Sequence, residues 1–292
     1  MIITVLLDVC FNPLLIRGFG PIPALGIAGS ALSTALANVA GVSFMIWRVY
    51  GHDLPLRLRG HELGYLWPSG RDLGYVIGKG LPMGAQMLVM SAAGLIMIGL
   101  VNHEGMIAAA AYGASLQLWN YLQMPAFAIG SAVSAMVAQN IGAGHHERVG
   151  KITAVGLWTN LWLTGSLAAV LVLLSHPLAA LFLGGHSPAV PLTSRIQVLC
   201  TWSFVMSGVM MILGGTMRAY GAVLVPLVVL IISMYPARLG FYFLAYPQMG
   251  IDAVWLAQPA GSIASMILTL IAYFSGYWRP KLEAPAAAAQ PA

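Results

Sequence analysis

Charge is what this chain has least of. Charged residues fill 7% of its 292 positions, against roughly 25% in a soluble globular domain, and that deficit excludes a water-facing surface of ordinary extent. Cysteine is as scarce: Cys10 and Cys200 lie inside apolar segments at no paired spacing, so both read as small buried hydrophobes and not as a disulfide. The 13 lysines and arginines form no dense run interleaved with aromatics, and a nucleic-acid partner is not expected. Lys79 is followed by Gly80 and not by Ser or Thr, so the Gly-Lys pair is no phosphate-binding loop and ATP coupling is not expected. His145-His146 lacks the i+4 partner or cysteines of a metal site and reads as solvated surface. No Ser/His/Asp or paired-carboxylate arrangement gives a footing for enzymatic catalysis, and no metal or other cofactor is expected.

Apolar residues dominate instead, at 59%, with 17 prolines and 33 glycines among them. That mixture suits membrane helices, whose neighbours satisfy the backbone groups such residues free. A span needs roughly 20 helical residues for about 30 Å of hydrocarbon. Stretches of that kind cover 26–49, 74–101, 107–140, 150–183, 191–219, 221–246 and 249–278. The shorter 1–16 makes an eighth; it has neither a basic leader nor a small-residue cleavage site, so it reads as a retained helix and not a signal peptide. Glycine-rich or polar breaks separate the stretches.

Orientation follows from the positive-inside rule. Arg48, Arg57, Arg59, Arg71 and Lys79 flank the second connection, Arg148 and Lys151 the fourth, Arg218 the sixth, and Arg279 and Lys281 the tail. The alternate connections carry Arg17 and Arg195. The even connections and the C-terminus are therefore expected in the cytoplasm, and an even number of crossings puts Met1 there too.

An internal repeat is visible. Asn12-Pro13 followed by Gly26-Ile27-Ala28-Gly29 recurs as Tyr235-Pro236 followed by Gly250-Ile251-Asp252-Ala253, and both second helices end on Trp-Arg, at Trp47-Arg48 and Trp278-Arg279. Several transporter folds are built from such repeats. The 224-position offset between Gly26 and Gly250 places the counterpart of the second copy's start well before Met1, so the chain is expected to lack the first four helices of a longer protein.

Ionisable side chains at membrane depth are functional candidates by default. Asp8 shares a helix face with Asn12, ahead of Pro13, which frees a backbone carbonyl. Carboxylate, amide and carbonyl together can hold a proton or a sodium ion. A solvated residue near the cytoplasmic helix end is the other reading of Asp8. Arg238 has no acid at i±3 or i±4; snorkelling to the interface is the simpler reading, with a substrate contact as the alternative. Asp252, Arg195 and Lys79 read as interface anchors. Met83, Met87, Met90 and Met97 follow one stripe, and Met206, Met210, Met211 and Met217 cluster further on. Flexible thioethers suit a pocket for varied substrates, although packing or lipid contact is the simpler account. Gly74, Gly78, Gly80 and Gly84 have the spacing that permits close helix contact.

Asn12 to Ile16, Gly20 to Thr34, Gly80-Leu81-Pro82, Gln139 to Gly144 with Arg148, Met217 to Gly221 and Gly250 to Trp255 resemble, in order, the pattern of the multidrug and toxic compound extrusion (MATE) transporters. The resemblance implies an all-α membrane antiporter of two six-helix lobes around a central cavity. Such a protein exports organic, often cationic, compounds in exchange for protons or sodium ions. On it, residues 1–50 are the last two helices of the first lobe and 51–72 a cytoplasmic inter-lobe loop; 73–279 form a complete six-helix second lobe and 280–292 a disordered cytoplasmic tail.

The family's first-lobe ion site draws on an amide and an acid at i, i+4 spacing plus a threonine on the next helix. Here acid and amide are exchanged, as Asp8 and Asn12, and Thr34 matches the threonine. Gln86 stands four residues after Pro82, where some members carry a cation-binding glutamate; glutamine coordinates but does not titrate. Ser207 stands where sodium-type members place an acid. The resemblance therefore implies coupling of the proton-driven, first-lobe kind, with Met83, Met87, Met90, Ser207 and Arg238 as candidates for the substrate cavity. Two alternatives stand beside it: a lipid-linked oligosaccharide flippase of the same superfamily, expected to line that cavity with more cations than Arg238 alone, and a truncated membrane fragment that does not transport.

Overall fold

Backbone amides and carbonyls in lipid have no water to bond, so runs as apolar as these are satisfied as helices. The computed structural model describes residues 2–18, 24–52, 60 and 69–278, and among these it contains helices and no strand. In chain order they are α1 (Ile2–Arg17), α2 (Ile27–Gly51), α3 (Gly70–His103), α4 (Met106–Gly142), α5 (His146–Leu173) and α6 (Ser175–Leu183). There follow α7 (Val190–Cys200), α8 (Ser203–Ala219), α9 (Leu224–Ile232), a π-helical turn (Ser233–Leu239), α10 (Gly240–Met249) and α11 (Asp252–Ser275). The tail 280–292 lies outside the described residues, as does most of the loop expected at 51–72.

Among the described residues, six helical spans are long and apolar enough to cross a membrane, with Leu224–Met249 counted as one. A seventh forms if α7 and α8, bent by 48° at their junction, are taken together. The bend opens carbonyls that local side chains fill: Trp202 Nε1 donates to the Leu199 carbonyl (2.6 Å) and Ser203 Oγ to that of Cys200 (2.7 Å). The eighth expected crossing, α1, has 16 residues, short of the roughly 20 that a perpendicular span needs. The stretch expected as one span over 150–183 breaks at Leu174. Pro177 has no N–H to offer the Leu173 carbonyl, so the helix cannot continue its ladder through that point.

The chain divides into two units, Met1–Leu73 and Gly74–Ala292. In the first, α1 packs along α2. Leu25 and Gly26 donate their amides to the Leu15 and Ile16 carbonyls (3.0 and 3.3 Å), so the end of one helix is satisfied by the start of the next. Cys10 is exposed in this unit, whereas Cys200 is buried in the second. The expectation of burial therefore fails for Cys10, because a pair of helices covers one face of each and leaves the rest open.

In the second unit α4 packs against α5, α7 and α8. Gly130 and Gly215 let the α4 and α8 backbones meet: a Cβ on Gly215 would lie 2.6 Å from the Gly130 carbonyl oxygen. By contrast, a Cβ at Gly74, Gly78, Gly80 or Gly84 would meet nothing within 4 Å, so among the described residues the α3 glycine stripe makes no close helix contact. Long side chains tie α3 instead, Lys79 donating to the Gly221 carbonyl (2.6 Å) and Gln86 Nε2 to that of Val223 (3.2 Å). Lys79 thus braces the turn after α8, a contact that the reading as an interface anchor did not foresee.

The core gathers Tyr112, Trp119, Phe204 and Trp255, with ring centroids 5.2–6.0 Å apart. Such aromatic contacts add to what area burial contributes. Outward faces carry exposed Leu88, Trp162, Leu181 and Phe274, an apolar exterior that lipid, and not water, would cover.

Candidate functional site

Among the described residues, one ionisable side chain in each unit lies inside largely apolar packing and is a candidate for function: Asp8 in the first and Arg238 in the second. In the first, Asp8 on α1 meets Ser33 and Thr34 on α2. Ser33 Oγ donates to Asp8 Oδ1 (2.8 Å) and Thr34 Oγ1 reaches the same oxygen (3.1 Å). Ser33 is buried and Asp8 half-buried. The helices come this close because Gly29 faces the Leu15 carbonyl oxygen, which a Cβ would strike. The structure brings Asp8 and Thr34 together as the sequence proposed. The carboxylate's shorter partner is Ser33, and Asn12, expected to join Asp8 in one cation site, stands one turn along α1. Ser33 escaped notice because one serine in an apolar helix carries no spacing signal of its own.

In the second unit, Arg238 sits in the π-helical turn. Pro236 cannot donate to the carbonyl four residues back and crowds it, so the helix widens locally. Arg238 is 7% exposed, which overturns the snorkelling reading: its side chain stays within the protein, near the middle of the span Leu224–Met249. Its Nε has no hydrogen-bond partner, and Nη1 lies 3.8 Å from Met234 Sδ, a weak acceptor. Tyr112 shares a side-chain hydrogen bond with it and Cys200 lies beside it. Among the described residues no carboxylate pairs with it, and a buried cation left so costs several kcal/mol.

Arg238 lines a cavity of about 140 Å³ with Tyr112, Trp119, Asn120, Gln123, Ser207, Met90, Met210, Met211 and Gln258. Trp119 is held from behind by Gln197 Oε1 (3.1 Å) and Thr201 Oγ1 (3.2 Å). Ser207 shares a hydrogen bond with Ser262 (3.0 Å). A second cavity of about 320 Å³ is lined by Met83, Gln86, Met87, Met90, Phe127, Met210, Met211 and Arg218. Met90, Met210, Met211 and Leu230 border both, so the two adjoin.

Of the residues singled out for a substrate cavity, Met90, Ser207 and Arg238 therefore face the first and Met83 and Met87 the second. Met97 is core, fully buried. Gln86 lines the second cavity with its amide nitrogen engaged by Val223. Arg218, Trp119 and Gln258 were missed: a helix-end arginine reads as a topology signal, and a core Trp or Gln has no motif. Asp252 and Arg195, expected as separate anchors, pair with each other at 2.6 Å. Among the described residues no group of three or more His, Cys, Asp or Glu could hold a metal.

Comparison with known proteins agrees with this architecture. The MatE family model matches residues 82–244. The probable multidrug resistance protein YoeA of Bacillus subtilis is 32% identical over 290 residues, covering 96% of this chain and 61% of YoeA. The FAD transporter of Shewanella oneidensis is 25% identical, covering 94% of this chain and 59% of that protein. An outward-facing multidrug resistance MATE family transporter superposes with a TM-score of 0.82 at 17% identity, covering 94% of this chain and 60% of that one. A MOP superfamily transporter from Pyrococcus furiosus gives 0.82 at 18%, with 94% and 60% covered. The chain spans about three-fifths of the length of the curated relatives it matches. With a family model matching more than half of its residues over a bundle of membrane-spanning helices, this chain belongs to the MatE family, a family of transporters and not enzymes, and is a multi-pass protein of the cell membrane.

Proposed function

We propose that this protein exports small organic compounds by alternating access, drawing on an inward gradient of protons, or failing that of sodium ions. The observation that carries the reading is the Asp8 carboxylate. It is an acid in an apolar helix, half-buried, and takes hydroxyl hydrogen bonds from Ser33 and Thr34 on the neighbouring helix. Such a group offers oxygen ligands to a cation in its charged form and carries a proton in its neutral form. Relatives named for multidrug resistance and for FAD transport support an organic cargo.

The adjoining cavities of the second unit are the place we assign to that cargo. They combine apolar walls with few, separated polar groups, as small-molecule sites do. Met83, Met87, Met90, Met210 and Met211 give those walls side chains that can repack around differing shapes. Gln86, with its nitrogen committed to Val223, holds α3 to the turn before α9, and in this reading it is a positioning residue and not a titrating one.

A second reading has one observation in its favour. Arg218 adds a cation to the lining that Arg238 begins, as a flippase for lipid-linked anions would need. The test is an efflux assay in a pump-deficient host expressing this protein, with soluble dyes and drugs as cargo. Gradient-dependent extrusion that collapses with an ionophore is expected. Retention of every soluble cargo, with movement of a lipid-linked anion between leaflets instead, would favour the flippase.

A further inference from the structure

The two adjoining cavities carry charge of one sign. Arg238 lines one and Arg218 the other, and among the described residues no Asp or Glu lines either. Arg238 is nine-tenths buried, its Nε without a partner, and among the described residues neither arginine is in an ion pair. Arg218 lies in the last turn of α8, at the end that the charge bias assigns to the cytoplasm; Arg238 lies near the middle of its span. Methionines shared by both cavities connect the two positions, and Trp119 offers a ring beside the deeper one. Guanidinium groups with free donors in a low-dielectric setting take up carboxylate, sulfonate or phosphate oxygens in strong, charge-assisted bonds. A cationic guest would meet repulsion at both points.

We propose that these cavities form a path selective for amphipathic organic anions. Arg218 receives the anionic group at the cytoplasmic end, Arg238 seats it at mid-depth, and the apolar body rests on Met90, Met210 and Trp119. This deepens the transport reading, on which it rests for the path's purpose, by fixing the sign of the cargo. It departs from the cationic cargo that the family resemblance implies.

Binding to the purified full chain in lipid nanodiscs, followed by tryptophan fluorescence, tests it with probes of one body and opposite charge: naphthalene-1-sulfonate and trimethyl(1-naphthyl)ammonium. The sulfonate is expected to bind at least about tenfold tighter, since hydrogen bonds to charged groups are the strong ones. R238Q and R218Q are each expected to weaken it by about tenfold or more, with R238K retaining part of the affinity. The ammonium probe is expected to gain or stay level in both. Dodecyl phosphate, presented as a lipid phosphate, separates two sources of the same chemistry. If it outcompetes the sulfonate and depends on Arg238, the anion path stands with a lipid as cargo. Equal or tighter binding of the ammonium by the wild type overturns the proposal, as does a folded R238Q that binds the sulfonate within about twofold of wild type. Should R238Q fail to fold, the wild-type sign preference and R218Q decide it. A wild type that exchanges protons for cargo yet prefers the ammonium probe would sink the anion path and leave the efflux reading intact.

Discussion

The helix pair α1–α2 and its later counterpart, from α9 through α11, share a glycine turn between their helices and differ in the charge they hold, and on the register of those glycines Asp8 corresponds to Ile232 and Arg238 to Leu14. Gly26 opens α2 at φ 55°, ψ −127°, and Gly250 precedes α11 at φ 57°, ψ −135°, the same conformation to within a few degrees. Both first helices carry a proline, Pro13 inside continuous α1 and Pro236 in the π-helical turn. Yet the first copy holds a carboxylate, Asp8, fed by hydroxyls, and the second holds a guanidinium, Arg238, that faces a cavity and has no carboxylate partner among the described residues. On the register that pairs the two glycines, Thr34 stands where Gln258 lines that cavity, and Ser33 where the second copy has fully buried Ala257. A shared scaffold thus carries two chemistries: the backbone is fixed by what glycine and proline permit, and the chemistry by a few side chains free to differ.

Substitutions can break or sharpen that comparison. The largest effect on stability is expected at the paired glycines, since a φ near +55° with ψ near −130° is open to glycine almost alone. Gly26→Val and Gly250→Val should each cost about 1–3 kcal/mol, read as matching drops in the thermal unfolding midpoint in detergent; insensitivity of one would mean the copies differ in backbone after all. Next comes Gly29, whose register partner is fully buried Ala253. Gly29→Ala drives a methyl into the Leu15 carbonyl and should cost about 1–3 kcal/mol by overpacking, whereas Ala253→Gly should cost nearer 1 kcal/mol from backbone entropy.

Ser33→Ala deprives the Asp8 carboxylate of its shorter donor and should destabilise α1–α2 packing by about 1–2 kcal/mol, measurable as faster amide exchange in α1. An unchanged exchange rate would show Asp8 already satisfied by Thr34. Smallest is Asp252→Ala, which removes a partly exposed pair with Arg195 that has no equivalent at Ala28. It should cost about 0.2–1 kcal/mol and fade at high salt, seen by repeating the melt at two ionic strengths.

Much of the scaffold was legible before any coordinates. Gly105, Gly144 and Gly250 mark real breaks because each sits at a positive φ that ends a helix. The break at Leu174 was hidden, since Ser175-His176 interrupts the apolar run only briefly and one Pro177 in lipid is compatible with a continuous helix. The bend between α7 and α8 was hidden too, being stabilised by side chains that bond their own backbone. At the sites, Asp8 announced itself by charge, and Thr34 by its resemblance to a known pattern. Arg238 did not declare its direction, because an arginine alone in an apolar helix looks the same facing lipid or cavity until its neighbours are known. Lys79 and Gln86 could not be read at all as braces, since their partners are backbone carbonyls, which have no sequence.

The central claim is a division of labour, with Asp8 coupling the ion and Arg238 holding the cargo. It is tested most directly by measuring both proton exchange and equilibrium cargo binding for D8N and R238Q in the same proteoliposomes. The account predicts that D8N abolishes exchange while binding naphthalene-1-sulfonate within about twofold of wild type, and that R238Q loses binding by about tenfold or more. Coupled exchange surviving in D8N, or equal loss of binding in both variants, would contradict it.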